Sequence, residues 1–323
     1  MNVRMAGIDS MAMAGFGRRA FARLHAMQSV IVLILGVGGT LLALGLVVHE
    51  LWDRELTPLV ALARSGMAFW AAFIAMLLIE PVCDYAILRR LLGTGAETLA
   101  PLVRKQSLNA LLFGYAGDTY FLTWLQKRTG DARAAFALVC DMTIGSALVN
   151  NLATLVMLVV MWRPVTALAG GRIDGWTLAV AVALVGVPIL LIGVRRRALP
   201  SEGLPTILAF QTLRTVLATV LAAATWHFAL PSVPMLSWLL LLTGRMIVSR
   251  LPIIPNKDLA FAGIVAIMLG PNEQVVPVIA GVALMTLVAQ AVMIAVAALP
   301  GVGGSWGARG AVAKADGAPR TEP

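Results

Sequence analysis

The sequence predicts an all-α polytopic membrane protein, with about six spanning helices and two re-entrant helical hairpins in an inverted-topology repeat. Three observations carry that reading. Hydrophobic residues make up 59% of the chain and charged residues 13%, with a mean hydropathy of +0.88, a composition outside the range of a water-soluble domain. Six apolar runs reach the about 20 residues that a spanning helix needs. Two further apolar segments are interrupted by glycine, proline and acid, a pattern tolerated at membrane depth only where protein or a water-filled cavity surrounds the broken helix.

The elements follow in order. Residues 1–28 form a basic cytoplasmic segment carrying Arg4, Arg18, Arg19 and Arg23. The apolar run after it is too long for a signal peptide and lacks a small-residue cleavage site, so it reads as a retained signal-anchor. Met11 to Met27 is either a basic amphipathic helix on the membrane surface or a disordered basic tail. The spans are Ser29 to Val48, Met67 to Leu88, Ala134 to Trp162, Trp176 to Val194, Pro205 to Leu230 and Val275 to Leu299. Residues 300–323, rich in Gly, Ala, Pro and charge, hold too little apolar surface to fold and are expected to be a disordered cytoplasmic tail. Short connections leave no room for an extramembrane catalytic domain, and the chain is expected not to be an enzyme.

The net charge of +9 does not point to nucleic acid, because the basic residues follow the membrane. The clusters at Arg4 to Arg23, Arg89 and Arg90, Arg104 and Lys105, Lys127 to Arg133, Arg195 to Arg197 and the tail can all be placed on one side. By the positive-inside rule that side is the cytoplasm. Arg54, Arg64, Arg163 and Arg172 are then left at or near the other. With Arg104 and Lys105 before it and Lys127 and Arg128 after, the stretch Gln106 to Gln126 cannot cross once, and Gly114, Gly117 and Asp118 interrupt it. It is expected to enter and return. A second interruption, at Pro252 and Pro255, starts and finishes on the outside.

Asp118 is followed by twelve residues that close on Gly130, and Asp258 by twelve that close on Gly270. Each segment precedes a long apolar run. The domain therefore reads as residues 29–299, with repeat one at about 29–163 and repeat two at about 175–299, the two inserted in opposite directions. Such repeats place a substrate site near the midplane, where half-helix N-termini offer partial positive charge and free N–H groups.

Ionisable groups at membrane depth cost roughly 3 kcal/mol each, so each calls for a role. Asp118 and Asp258 either cap the half-helices that follow them or hold a cationic head group or protons. Glu80 and Asp84, four apart around Pro81, either line a polar cavity or pair with Arg89, Arg90 or another base. Arg214, in mid-span, suits a phosphate or neutralises Glu80 or Asp84. Arg245, Arg250 and Lys257 gather along the second hairpin as phosphate ligands, or Arg250 and Lys257 are periplasmic surface charges. Asn150 and Asn151 are expected to bond between helices, His227 to be interfacial, and Cys83 and Cys140 to pack. His49 to Asp53 reads HELWD and lacks the second histidine of a zinc-protease helix. No Ser-His-Asp order, phosphate-binding glycine loop or metal cluster is present in the sequence, and no cofactor is expected.

At these residues the chain resembles the transmembrane region of the lysylphosphatidylglycerol synthase/flippase family. Its first signature is matched by Asn109, Leu111, Leu112, Gly114, Gly117, Asp118, Arg128, Gly130 and the downstream Asp141, and its second by Pro252, Pro255, Asn256, Lys257 and Asp258. Aspartate replaces the family's glutamate twice, and PNKD replaces its glycine-rich turn. The likeness extends over roughly residues 29–299. Family members with a fused aminoacyl-transferase domain make and flip a cationic phospholipid; this chain ends without that domain, so synthase activity is not expected. The resemblance implies a flippase-like domain in the bacterial inner membrane, with both termini cytoplasmic, that translocates a phospholipid or an envelope or isoprenoid lipid. Its substrate-binding residues would be Glu80, Asp84, Asn109, Asp118, Asp141, Arg214, Arg245, Arg250, Asn256, Lys257 and Asp258. A proton-coupled carrier of a small anion and a non-transporting component of envelope-lipid synthesis are the competing readings. Membrane lipids are the expected partners, with a second copy of the chain or a lipid-synthesis protein left open.

Overall fold

The computed structural model describes residues 62–112, 115–164, 203–250, 256–270 and 274–298, with positions 183 and 186. The N-terminal segment, the spans expected at Ser29 to Val48 and Trp176 to Val194, Gly114, the turn holding Pro252 and Pro255, and the tail lie outside them. The described residues are helical and hold no strand. Four helices are long and apolar enough to cross a membrane: α1 (Met67–Leu92), α4 (Ala132–Val160), α5 (Leu204–Ala229) and α8 (Val275–Ala298). This is the make-up of a multi-pass membrane protein. Between them run α2 (Leu99–Leu111), α3 (Ala116–Thr129), α6 (Met235–Val248) and α7 (Lys257–Leu269).

Local chemistry sets these boundaries. Helix α1 stops at Gly93, whose φ of 64° is cheap only without a Cβ, and Arg89 and Arg90 occupy the last turn, where cations favour the helix dipole. Helix α3 ends in the same way at Gly130, with φ 71°. Helix α4 begins where the Asp131 carboxylate accepts the N–H groups of Arg133 and Ala134 at 2.9 and 3.0 Å. Pro81 inside α1 deprives the Leu77 carbonyl, four residues back, of its helical donor. Gln106 of α2 supplies the replacement, its Nε2 donating to that carbonyl at 3.0 Å.

Helices α2 and α3 form one antiparallel hairpin, and α6 and α7 a second. At about 1.5 Å per residue, helices of 13 and 14 residues reach only about 20 Å, short of a hydrocarbon core of about 30 Å. The hairpins flank a central pair, α1 lying along α5. That pair runs antiparallel, since Glu80 meets Arg214 and Asp84 meets Gln211.

Two apolar clusters fix the hairpins at opposite ends of the pair. The first joins Ile87 and Leu88 at the end of α1 and Ile207 at the start of α5 to Leu102, Phe121 and Leu125 of the first hairpin. The second joins Phe69 and Phe73 at the start of α1 and Trp226 at the end of α5 to Trp238, Leu242, Phe261 and Val265 of the second. Trp226 lies against Trp238 and Phe261, with ring centroids 5.9 and 6.2 Å away. Buried Leu102, Phe121 and Leu125 recur as buried Leu242, Phe261 and Val265, each 140 positions later in the sequence.

Candidate functional site

Each hairpin is closed by an ion pair between its two helices, and the base and acid are 13 positions apart in both. In the first, Lys105 of α2 faces Asp118 of α3, Nζ to Oδ1 3.5 Å. In the second, Arg245 of α6 donates from Nε and Nη2 to Asp258 Oδ1 of α7, both at 2.7 Å. Lys105 and Arg245, like Asp118 and Asp258, are 140 positions apart. The correspondence that the sequence displays in its acids and glycines thus extends to their basic partners and to the packed side chains beneath them.

The surroundings of the two pairs differ. Lys105 is also 2.7 Å from Asp84 Oδ2 of α1, and both side chains are buried, 10% and 2% exposed. The Phe121 ring, 5.7 Å from Nζ, adds a cation–π contact. One turn along α1, Glu80 lies 3.4 Å from Arg214 of α5. Arg214 also donates to Ser146 Oγ at 2.6 Å, Asn150 donates to the same oxygen at 3.2 Å, and Thr215 donates to Asn150 Oδ1 at 2.9 Å. A polar seam therefore crosses α1, α2, α3, α4 and α5. Beside it, Tyr115, Asp118, Thr119, Leu122, Val139, Cys140, Thr143 and Ile144 line an open cleft of about 260 Å³.

The second hairpin carries the opposite surplus. Arg245 and Asp258 border an apolar cavity of about 20 Å³, room for one water molecule. Arg250 and Lys257 stand on either side of residues 251–255, and among the described residues no carboxylate pairs with either. Among the described residues Arg250 donates from Nε to the Met246 carbonyl, at 3.4 Å. Burial, and then repulsion from Arg245, push its guanidinium down to about 10, so it stays charged at neutral pH and would gain from an anion placed beside it.

The hairpin tips meet between these two regions. Asn256 Nδ2 points to the Ala110 carbonyl at 3.5 Å, at the edge of hydrogen-bonding distance, while Asn109 Oδ1 accepts the Gly117 N–H at 2.7 Å. At Gly117 a Cβ would fall 1.9 Å from the Lys105 carbonyl oxygen, so the first hairpin closes only on glycine.

Several open alternatives are decided, and some expectations change. Asp118 and Asp258 do not cap their helices. Asn109 reaches across to the start of α3, and Asn256 caps α7 by accepting the Leu259 N–H at 3.0 Å, because each aspartate already lies inside the first helical turn and turns its carboxylate to the base of the neighbouring helix. Glu80 and Asp84 pair with Arg214 and Lys105, not with Arg89 or Arg90, which sit at the exposed end of α1. Lys105, grouped in the sequence with the cytoplasmic flanking charges, is buried in the helix joint. Arg214 neutralises Glu80. Asp141 is half-buried on α4, one position beyond the Cys140 that lines the cleft. Lys105 and Gln211 were invisible as site residues, although the spacing shared by Lys105–Asp118 and Arg245–Asp258 was the signal that could have found the lysine. No known protein family, curated protein or solved structure matches the chain.

Proposed function

We propose that this membrane protein is a non-enzymatic lipid translocator whose cargo carries a phosphate in its head group, a phospholipid or an envelope or isoprenoid lipid. The observation that carries the reading is the pair Arg250 and Lys257, which no carboxylate among the described residues compensates, at the end of a hairpin of helices too short to cross a bilayer. Guanidinium and ammonium groups held there match a phosphate, with charge-assisted hydrogen bonds worth about 1.5–3 kcal/mol each. The arrangement around them supports an inverted repeat of six spans and two re-entrant hairpins. The hairpins sit at opposite ends of an antiparallel helix pair and touch at their tips, as broken helices do when they enter from the two faces and meet near the midplane. Membership of the lysylphosphatidylglycerol synthase/flippase-like group, insertion in a bacterial inner membrane and cytoplasmic termini belong to the same proposal.

The test is a vesicle assay with the full chain reconstituted at fixed protein-to-lipid ratio, following fluorescent phospholipids with a quencher that cannot cross the bilayer. Wild type is expected to expose inner-leaflet label faster than protein-free vesicles, and Arg250→Ala combined with Lys257→Ala to slow it about tenfold or more, the equivalent of losing one charged contact. Equal rates in protein-free vesicles, wild type and variant remove the translocation reading.

A further inference from the structure

We propose that Asp84, Lys105, Asp118 and Gln211 form a binding site for one exchangeable monovalent cation, a proton or a sodium ion, built into the joint of α1, α2, α3 and α5. This goes beyond the lipid reading and does not depend on it: it assigns an ion to the protein whatever the cargo.

The first ground is charge. Three carboxylates, Glu80, Asp84 and Asp118, share two bases, Arg214 and Lys105. Glu80 and Arg214 satisfy one another, which leaves two aspartates on a single lysine. At 2.7 Å Asp84 holds the ammonium and at 3.5 Å Asp118, 16% exposed beside the cleft, is held less closely, while Asp84, 2% exposed, is costly to leave unpaired. One further positive charge balances the cluster.

The second ground is an orphaned acceptor. Gln211 is 1% exposed, its Nε2 lies a long 3.4 Å from Asp84 Oδ1, and its buried Oε1 receives no hydrogen bond. A buried amide oxygen without a donor costs about 1–3 kcal/mol. Turning the amide over would give up the Nε2 contact and bring Oε1 to Asp84 Oδ1, an exchange favoured only when a proton or a metal cation lies between the two facing oxygens. The third ground is access, since the cleft lined by Asp118 opens beside the lysine.

Among the described residues, the remaining groups around Asp84 do not cancel the surplus. On α1 they are Glu80 and the neutral Cys83 thiol. On α2 they are Lys105 and Arg104, the latter directed to the Tyr120 hydroxyl and the Ala297 carbonyl. On α5 they are Gln211 and Arg214, and on α3 Asp118. In the cation-loaded state a proton from water bonds to an Asp84 oxygen, the new O–H donates to Gln211 Oε1, and Lys105, keeping its three protons and its charge, pairs with Asp118. Release returns the proton to water and Lys105 to Asp84. A sodium ion would lie between the same two oxygens with the same charge count.

Infrared difference spectroscopy of the full chain in phosphatidylcholine vesicles reads this directly. Between alkaline and acidic buffer the wild type is expected to gain a protonated-carboxyl band, and Asp84→Asn to lose one carboxyl's share of it. Gln211→Leu, which removes the acceptor but no titrating group, shifts that band to higher frequency and guards against misfolding of the first variant. Replacing choline chloride by sodium chloride at fixed pH suppresses the band, or shifts a carboxylate band that Asp84→Asn abolishes, if the ion is sodium; no sodium effect assigns the proton. Spectra of Asp84→Asn and Gln211→Leu that superpose on the wild type in both arms overturn the site. A preserved band in a protein that moves no lipid would instead overturn the translocation reading alone.

Discussion

The two hairpins share a frame and invert its charge. Both place a base and an acid 13 positions apart across two short helices, over matched leucine and phenylalanine positions. In the first, α1 adds Asp84, so a buried lysine serves two carboxylates. The same place in the second is apolar, Ala222 and Trp226 of α5 lying with Met76 of α1 around the Arg245–Asp258 pair, while Arg250 and Lys257 bring extra positive charge to the tip. One scaffold thus presents an acid-rich joint at one end and a base-rich turn at the other. On the two proposals above, the first would hold a cation and the second an anion.

Removing the base of each pair separates these roles most sharply. Lys105→Ala would strand the buried Asp84 carboxylate and leave Asp118 to the cleft, and breaking a buried pair in this way costs about 3–5 kcal/mol. Arg245→Ala acts on side chains about 30% exposed, where solvent screens the loss, and is expected to cost about 1 kcal/mol. Thermal unfolding in detergent, followed by tryptophan fluorescence, should therefore show a large drop for the first variant and a small one for the second. Lys105→Ala with Asp84→Asn should recover most of its loss. Equal drops for the two single variants would mean that the hairpins do not differ in burial as described.

The next expected effect falls where the repeats diverge in backbone. Gly117, against which α2 presses its Lys105 carbonyl, is matched 140 positions on by Lys257, whose side chain is exposed. Gly117→Ala forces apart a contact that leaves no space for a methyl group, at a cost of about 1–3 kcal/mol. Lys257→Ala should leave the unfolding temperature almost unchanged. A neutral Gly117→Ala would show that the first hairpin is looser than its close helix contact implies.

Much of this frame was legible beforehand, and the limits of reading it are physical. Apolar runs disclosed α1, α4, α5 and α8 because lipid demands about 20 apolar residues regardless of partners. The interruptions at Gly114, Gly117 and Asp118 and at Pro252 and Pro255 marked the paired short helices because broken helices are costly in hydrocarbon. Lys105 was misread because a basic residue beside Arg104 looks like a membrane flank; only its three-dimensional neighbours, Asp84 and Phe121, reveal that it is buried. For the aspartates the cap stayed open beside the functional reading, because an acid near a helix start fits both a cap and a first-turn residue, and an offset of three positions at Asp118 and two at Asp258 decides against the cap. Gln211 gave no signal, since its role depends wholly on the antiparallel meeting of α1 and α5.

The smallest effect concerns the point where the two halves touch. Asn256 has two tasks on different atoms: Oδ1 accepts the Leu259 N–H and Nδ2 faces the Ala110 carbonyl. Asn256→Ala loses both, chiefly the cap, for about 1 kcal/mol. Asn256→Asp keeps the acceptor and its favourable place at a helix start, but sets a carboxylate against a carbonyl oxygen and beside Lys257. If the contact between tips matters, Asn256→Asp should nearly preserve stability in detergent yet increase hydrogen exchange in both tips, at residues 109–112 and 256–259 together. Faster exchange confined to 256–259 would make Asn256 a local cap and leave the two hairpins independent at their tips.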